Sequence, residues 1–297
     1  MTPKKIKKIG KTRKPSYDQI MKNEHSIVRF NLLTSLLSIL NHEDEKSTAF
    51  LLAKYFLEHF QHLKTLSIYK VSEECYVSRS SIQRFVKQIG YESFTSLKES
   101  IREISVHQAS FIHYTDHADF ENYLMANINA MMVDINSVFQ QSKIHRLVEK
   151  IHNASRVIIL TAEDSISSIR IFQQAMLAVG KLIRVITSAS GNHTIIDHLD
   201  RDDLLLVCST TGNYAFTIND EVIPLRAGKA LITLNHTAIL EDTYEDIYYL
   251  SSDDHYSSHT ITSVRNIYTN YGMTYFFDLL YHAYFKKYRR EIVKVSR

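Results

Sequence analysis

Between Val77 and Gly90 the chain reads Val-Ser-Arg-Ser-Ser-Ile-Gln-Arg-Phe-Val-Lys-Gln-Ile-Gly. Those residue types suit contact with a polyanion. Ile82, Phe85, Val86 and Ile89 recur at i, i+3, i+4 and i+7, so a helix would bury them on one face. The opposite surface then carries Arg79, Gln83 and Lys87, with Ser80, Ser81 and Arg84 alongside, and it holds no acid. Guanidinium and amide groups can hydrogen-bond base edges in a major groove, while ammonium and hydroxyl groups hold phosphate. Ser78 is suited to cap the helix at its start, and Gly90 to end it in the left-handed region. A short helix expected over Ile68–Cys75, followed by a tight connection through Tyr76 and Val77, gives the spacing of a helix-turn-helix with 79–89 as the groove-reading helix. Ser78, Arg79, Ser80, Ser81, Gln83, Arg84 and Lys87 are therefore the candidate DNA-facing residues. An ordinary amphipathic surface helix would share the periodicity, but the compact turn and acid-free face favour double-stranded DNA as the partner.

A second group of interest is Ser209-Thr-Thr-Gly-Asn-Tyr214, directly after the apolar run Asp203–Cys208. Hydroxyls of Ser209 and Thr211, backbone freed by Gly212, and the start of a helix would together form an anion site. Serine- and threonine-rich turns are common, so this signal is only moderately specific by itself.

These segments need elements to hold them. The 297 residues are 44% hydrophobic and 23% charged, ordinary for a globular chain and unlike disordered or fibrous sequence. No stretch of ~18 apolar residues marks a membrane span, and no apolar core follows the basic N-terminus to make a signal peptide. The seven glycines are all more than ten positions apart, which excludes both the phosphate-binding loop of nucleotide hydrolases and the dinucleotide fingerprint, since each needs closely spaced glycines. Cys75 and Cys208 form no paired spacing, so neither a disulfide framework nor a zinc site is expected, and the reducing cytoplasm is the simplest setting. The net charge of +3 hides an asymmetry: Lys4, Lys5, Lys7, Lys8, Lys11, Arg13 and Lys14 crowd the N-terminus, while the rest of the chain is mildly acidic. Such an arm is either a phosphate-binding extension or a solvated tail.

Helical periodicity dominates residues 26–104. It weakens over 105–119, read as a linker, and resumes in a long helix from Phe120 to Val138 with another near 143–152. Beyond these, β-branched runs at Arg156–Thr161, Leu182–Thr187, Asp203–Cys208, Ala230–Leu234 and Ile247–Leu250 mostly alternate with helical lengths. That pattern predicts an open, mainly parallel sheet flanked by helices, with ligands at the carboxyl ends of its strands. Gly180 and Gly228 are placed as helix stops, and residues 257–289 read as an aromatic-rich helix.

The segment Val77–Lys98, with Ser-x-x-x-x-x-Arg-Phe at 78–85 and Gly-Tyr-x-x-Phe-x-x-Leu-Lys at 90–98, resembles the DNA-binding domain of RpiR-type bacterial regulators. The resemblance implies an all-α helix-turn-helix domain (26–104) behind a basic arm (1–25), joined by the linker to a C-terminal SIS domain (120–297), the α/β sugar-isomerase fold that binds phosphosugars. Tyr76 stands where the family usually has glycine, which predicts some departure in the turn. In an SIS domain two strand-end loops hold the sugar phosphate. The first would be Thr161-Ala-Glu-Asp-Ser165, where Ser165 is retained but both usual glycines are missing; the second is Ser209–Tyr214, with Tyr214 replacing a small hydroxyl residue. Ser165, Ser209, Thr210, Thr211, Gly212 and Asn213 are thus the candidate residues for a phosphosugar-like effector. Glu163 and Asp164 would repel a phosphate unless a donor intervenes, so a different ligand, or a domain kept for assembly alone, stays open.

The competing class is an SIS-type sugar-phosphate isomerase or lyase, with Glu163 as base and His193 or His236 as partner. A helix-turn-helix has no role in such an enzyme, and a chain with fifteen histidines makes coincidences cheap. His255 and His259 lie four apart without a glutamate to complete a metalloprotease-like motif, so no metal and no cofactor are expected. By resemblance the chain would be a homodimer or homotetramer on a palindromic operator, with part of the aromatic stripe Tyr268–Tyr288 buried between subunits.

Overall fold

The computed structural model describes residues 31–99, 115–139, 141–162, 165–187, 193–252 and 267–295. The basic arm, most of the linker, Glu163, Asp164, His255 and His259 lie outside the described residues, as does the His193 side chain.

The N-terminal unit is helical: α1 (Asn31–His42), α2 (Thr48–Glu58), a 3-10 turn (Phe60–Thr65), α3 (Ile68–Glu74), α4 (Arg79–Gln88) and α5 (Phe94–Glu99). Its core gathers apolar positions from every one of these elements, with Leu36, Phe56, Ile82, Val86 and Leu97 fully or almost fully buried. Phe56 is the hub, its ring centroid 5.9 Å from that of Phe85 and 6.0 Å from that of Phe94. Buried aromatics at such spacings add to the area they remove from water. The 3-10 turn was not evident in the sequence, where Phe60 simply extends the α2 pattern. It buries Phe60 and Leu63, and the Leu66 carbonyl after it accepts from Lys98 Nζ at 3.2 Å, tying α5 to the turn.

The C-terminal unit opens with α6 (Phe120–Val138) and α7 (Gln141–Asn153). There follow β1 (Val157–Thr161), α8 (Ile166–Ala178), β2 (Ile183–Thr187), a 3-10 turn (His193–His198), β3 (Leu204–Cys208), the short α9 (Asn213–Thr217) and α10 (Asn219–Val222), β4 (Gly228–Thr233), α11 (Ala238–Glu241) and β5 (Asp246–Tyr249). A π-helical turn at Tyr268–Gly272 leads into α12 (Met273–Val295). All strand pairs are parallel, in the order β2-β1-β3-β4-β5. The sheet is buried on both faces, as its unbroken apolar strands require. In β1 and β3, Ile159, Leu204, Leu206 and Cys208 pack toward α6, α7, α8 and α12, while Ile158, Leu160, Leu205 and Val207 pack toward α9, α10 and α11.

One expectation changes on this frame. Gly180 does end α8 with φ 81, but Gly228 opens β4 rather than closing a helix. The aromatic stripe is mostly this chain's own core: Tyr268, Phe276, Phe277 and Tyr284 are buried, and Tyr271 and Phe285 are its exposed members among the large apolar side chains. The two cysteines are free and buried, and burial pushes the Cys75 thiol up to about 11 and Cys208 higher still, so neither is poised as a nucleophile.

Candidate functional site

The helix-turn-helix is built from two helix ends that use the same device. At the end of α4, the Gly90 N–H donates to the Lys87 carbonyl (3.1 Å) and the Tyr91 N–H to the Val86 carbonyl (3.0 Å), with Gly90 at φ 90. That pair of bonds satisfies carbonyls the helix would otherwise leave open. At the end of α3, the Tyr76 N–H reaches the Glu73 carbonyl (3.4 Å) and the Val77 N–H the Ser72 carbonyl (3.2 Å). Tyr76 sits at φ 53. The departure predicted for this turn is therefore not seen: tyrosine adopts the left-handed conformation usually given to glycine, at a cost of about 1–2 kcal/mol. Ser72 Oγ donates to the Val77 carbonyl at 2.6 Å and braces the turn from behind.

Ser78 then caps α4, its Oγ accepting from the Ser81 N–H at 3.1 Å and lying 2.7 Å from Ser80 Oγ. A serine cap stabilises a helix by about 1 kcal/mol relative to alanine. Ile82, Phe85, Val86 and Ile89 are buried, as their spacing predicts. Ser78, Arg79, Ser80, Arg84 and Lys87 are exposed, and Ser81 and Gln83 are half-buried. All seven predicted residues thus lie at the start or on the outer side of one ten-residue helix.

The second site begins with topology. The chain lays β2 on one side of β1, then crosses to place β3 on the other, so the connections leaving β1 and β3 diverge and open a crevice at their carboxyl ends. Thr161 pairs with Cys208 at the last rung of the two strands. The loops that follow are the two singled out in the sequence. They meet: Ser165 Oγ lies 3.4 Å from Thr210 Oγ1, both residues buried.

Within the second loop, Ser209 Oγ accepts from the Ala215 N–H (3.3 Å), Thr211 Oγ1 from the Asn213 N–H (3.3 Å), and the Gly212 N–H bonds back to the Ser209 carbonyl (2.9 Å). Among the described residues, the hydroxyls of Ser209 and Thr211 donate to no acceptor. The N–H groups of Thr210 and Thr211 find no acceptor among the described residues. Gly212 has φ 82, and a Cβ there would sit 2.8 Å from Asn235 side-chain atoms. Asn235, from the loop after β4, was not evident in the sequence. Its Nδ2 donates to the Thr211 carbonyl at 3.1 Å while its Oδ1 accepts from the Thr237 N–H at 3.0 Å, so it locks the hydroxyl loop to β4. Only the approach of distant loops reveals it. One expectation weakens: α9, which this loop opens, has five residues, too short for much of a helix dipole. Tyr214 is buried in the core beneath the loop.

At the opposite end of the same strands, Asp203 accepts from the Arg156 N–H (3.0 Å), Nε (3.0 Å) and Nη2 (2.5 Å), and from the Asp200 N–H (2.9 Å). Hydrogen bonding to Arg156 holds the Asp203 carboxyl below its usual range. A cavity of about 270 Å³ also opens at the β5 edge, between Lys143, His236, Tyr249 and Ser252, and is lined by none of the predicted ligand residues. His236, a candidate acid–base group, places Nε2 3.0 Å from the Ser251 carbonyl and stacks on Tyr249 at 3.9 Å. Among the described residues no cluster of His, Cys, Asp and Glu could hold a metal, and no helix is long and apolar enough to cross a membrane.

The chain is similar to several known proteins. The chain is 26% identical over 171 residues to the uncharacterized HTH-type transcriptional regulator YfhH of Escherichia coli strain K12, covering 54% of this chain and 60% of that protein. The matched stretch therefore spans less than two thirds of that regulator. Among solved structures the chain is similar to the Vibrio vulnificus NanR protein complexed with ManNAc-6P (15% identity, TM-score 0.47, 90% of this chain and 97% of that one). It is also similar to the sugar isomerase domain of an RpiR transcription factor from Sphaerobacter thermophilus (16% identity, TM-score 0.43, 59% and 93%). Residues 30–105 match the model of the helix-turn-helix domain, rpiR family. With the capped turn and the outward basic face of α4, the N-terminal unit of this chain is a helix-turn-helix domain of the rpiR family.

Proposed function

We propose that this chain is a transcription regulator of the RpiR type, reading DNA through α4 and sensing a phosphosugar-like effector in its C-terminal domain. The observation that carries the DNA reading is the acid-free face of α4 on a helix-turn-helix of the rpiR family. The observation that supports the effector reading is the meeting of Ser165 and Thr210 in the crevice between β1 and β3. Neutral hydroxyls and amides on two loops that meet suit a phosphate, which accepts hydrogen bonds from all sides. The proposal includes the division at residues 105–119, a homodimer or homotetramer on a palindromic operator, a cytoplasmic location, and regulation of sugar or amino-sugar genes. The effector acts by binding unequally to two arrangements of the DNA-binding domains, since only a difference in affinity shifts an equilibrium.

The reading as a regulator rather than an isomerase rests on the DNA-binding unit, which has no role in such an enzyme. The deciding experiment is thermal unfolding of the full chain against hexose, amino-sugar and pentose phosphates. A ligand at ~100 times its dissociation constant adds ~2.7 kcal/mol of stability. A selective rise that disappears when Ser165, Ser209 and Thr211 are all changed to alanine supports the site. A rise that survives the triple change overturns it, and turnover lost on Glu163→Gln restores the enzyme.

A further inference from the structure

Tyr69 stands near the start of α3, 66% exposed, and its ring lies against Arg79 of α4, with the guanidinium carbon 4.9 Å from the ring centroid. The two helices of the motif thus touch outside their core as well as within it. Arg79 is the first residue of α4, where a groove-reading helix meets base edges. An arginine there is useful only if its guanidinium is aimed, because a freely rotating side chain loses rotamer entropy on binding. A guanidinium held over a ring by cation–π attraction is restrained without using up its N–H donors. Those donors are the ones that bind guanine O6 and N7 in pairs. Glu74, a nearby carboxylate on α3, is engaged elsewhere, accepting from Tyr55 Oη at 2.5 Å and pairing with Lys70 at 3.6 Å.

We propose that Tyr69 is a positioning residue for DNA recognition: its ring presets Arg79 for paired contact with a base edge, so sequence discrimination depends on it while general DNA affinity does not. This rests on the DNA-reading role given to α4 above.

The test uses the full chain and a duplex recovered by wild-type protein from a random-sequence library. The affinity ratio for that duplex over a scrambled duplex of equal composition is measured at two salt concentrations. An exposed cation–π contact corresponds to about a two- to fivefold loss of that ratio for Tyr69→Ala, with an unchanged salt slope. Tyr69→Leu, which keeps bulk without a π face, should lose as much, and Tyr69→Phe should match wild type. In an Arg79→Ala background, Tyr69→Ala should cost nothing further. Full additivity of the two changes overturns the proposal. So does a Tyr69→Phe loss equal to that of alanine with a flatter salt slope, which would mean a hydroxyl-to-phosphate contact. If Arg79→Ala leaves the ratio unaltered, Arg79 does not read bases and the positioning role falls with it. If the library yields no preferred duplex, the DNA reading of the chain itself has failed.

Discussion

The two candidate sites of this protein are built in opposite ways. The surface of α4 comes from one continuous segment, with its cap, buried face and terminating glycine all within Ser78–Gly90. The crevice of the α/β domain takes Ser165 from the end of β1, Ser209–Asn213 from the end of β3 and Asn235 from the end of β4. A site on one helix tolerates change at any one exposed residue, because its geometry is fixed by local hydrogen bonds and a buried face. A site spread over strand ends depends on each loop staying where its neighbours put it. Substitutions in the crevice should therefore show first as lost stability, and those on α4 as lost binding with the fold intact.

The largest effect is expected at Gly212. Alanine there meets both a left-handed backbone and the Asn235 side chain at 2.8 Å, so urea unfolding should show a loss of about 3 kcal/mol. Asn235→Ala should not rescue it, because the Asn235 Cβ, itself 2.8 Å from the added carbon, stays in place. A loss below about 1 kcal/mol would mean that the loop is not locked, and the contrast with α4 would dissolve.

On α4, Arg79→Ala or Gln83→Ala should reduce discrimination against wrong bases by about 1–3 kcal/mol without moving the unfolding midpoint. Lys87→Ala should instead weaken binding to all duplexes and flatten the salt slope by about one unit. Parallel titrations on specific and scrambled DNA separate these outcomes.

Asp203→Asn should destabilise by about 2 kcal/mol, the scale of hydrogen bonds to a charged group. The native Asp203 carboxyl is held below its usual range by Arg156. Its contribution is therefore complete above the ordinary carboxylate pKa and fades as pH falls through the lowered folded value. Urea midpoints measured from neutral pH downward should fall less steeply in the variant.

The smallest effect is a gain. Tyr76→Gly relieves the left-handed cost of about 1–2 kcal/mol but adds disorder to the unfolded chain, for a net stabilisation of about 0.5–1 kcal/mol. An unchanged or lower midpoint would show that the exposed ring has contacts of its own.

What could be read from the sequence follows the same division. Ile82, Phe85, Val86 and Ile89 announce their helix because burial on a helix repeats every three to four residues. Val157–Thr161 and Leu204–Cys208 announce a doubly covered sheet because strands buried on both faces have no polar side to show. Ser78 and Gly90 mark the ends of α4 through local hydrogen bonds that no other part of the chain can alter. The short 3-10 turn at Phe60–Thr65 was hidden, since its two buried residues also fit the preceding helical period. The start of β4 at Gly228 is not legible in the sequence, because glycine serves equally at a helix end and beside a neighbouring strand. Only the tertiary structure decided that β3 crosses back beside β1, bringing Ser165 to Thr210. It also decided that Asn235 holds the Gly212 loop and that Tyr69 meets Arg79. A periodicity reports which face of an element is buried, but carries no record of the element it is buried against. Contacts between residues remote in sequence exist only once strand order and helix packing are set.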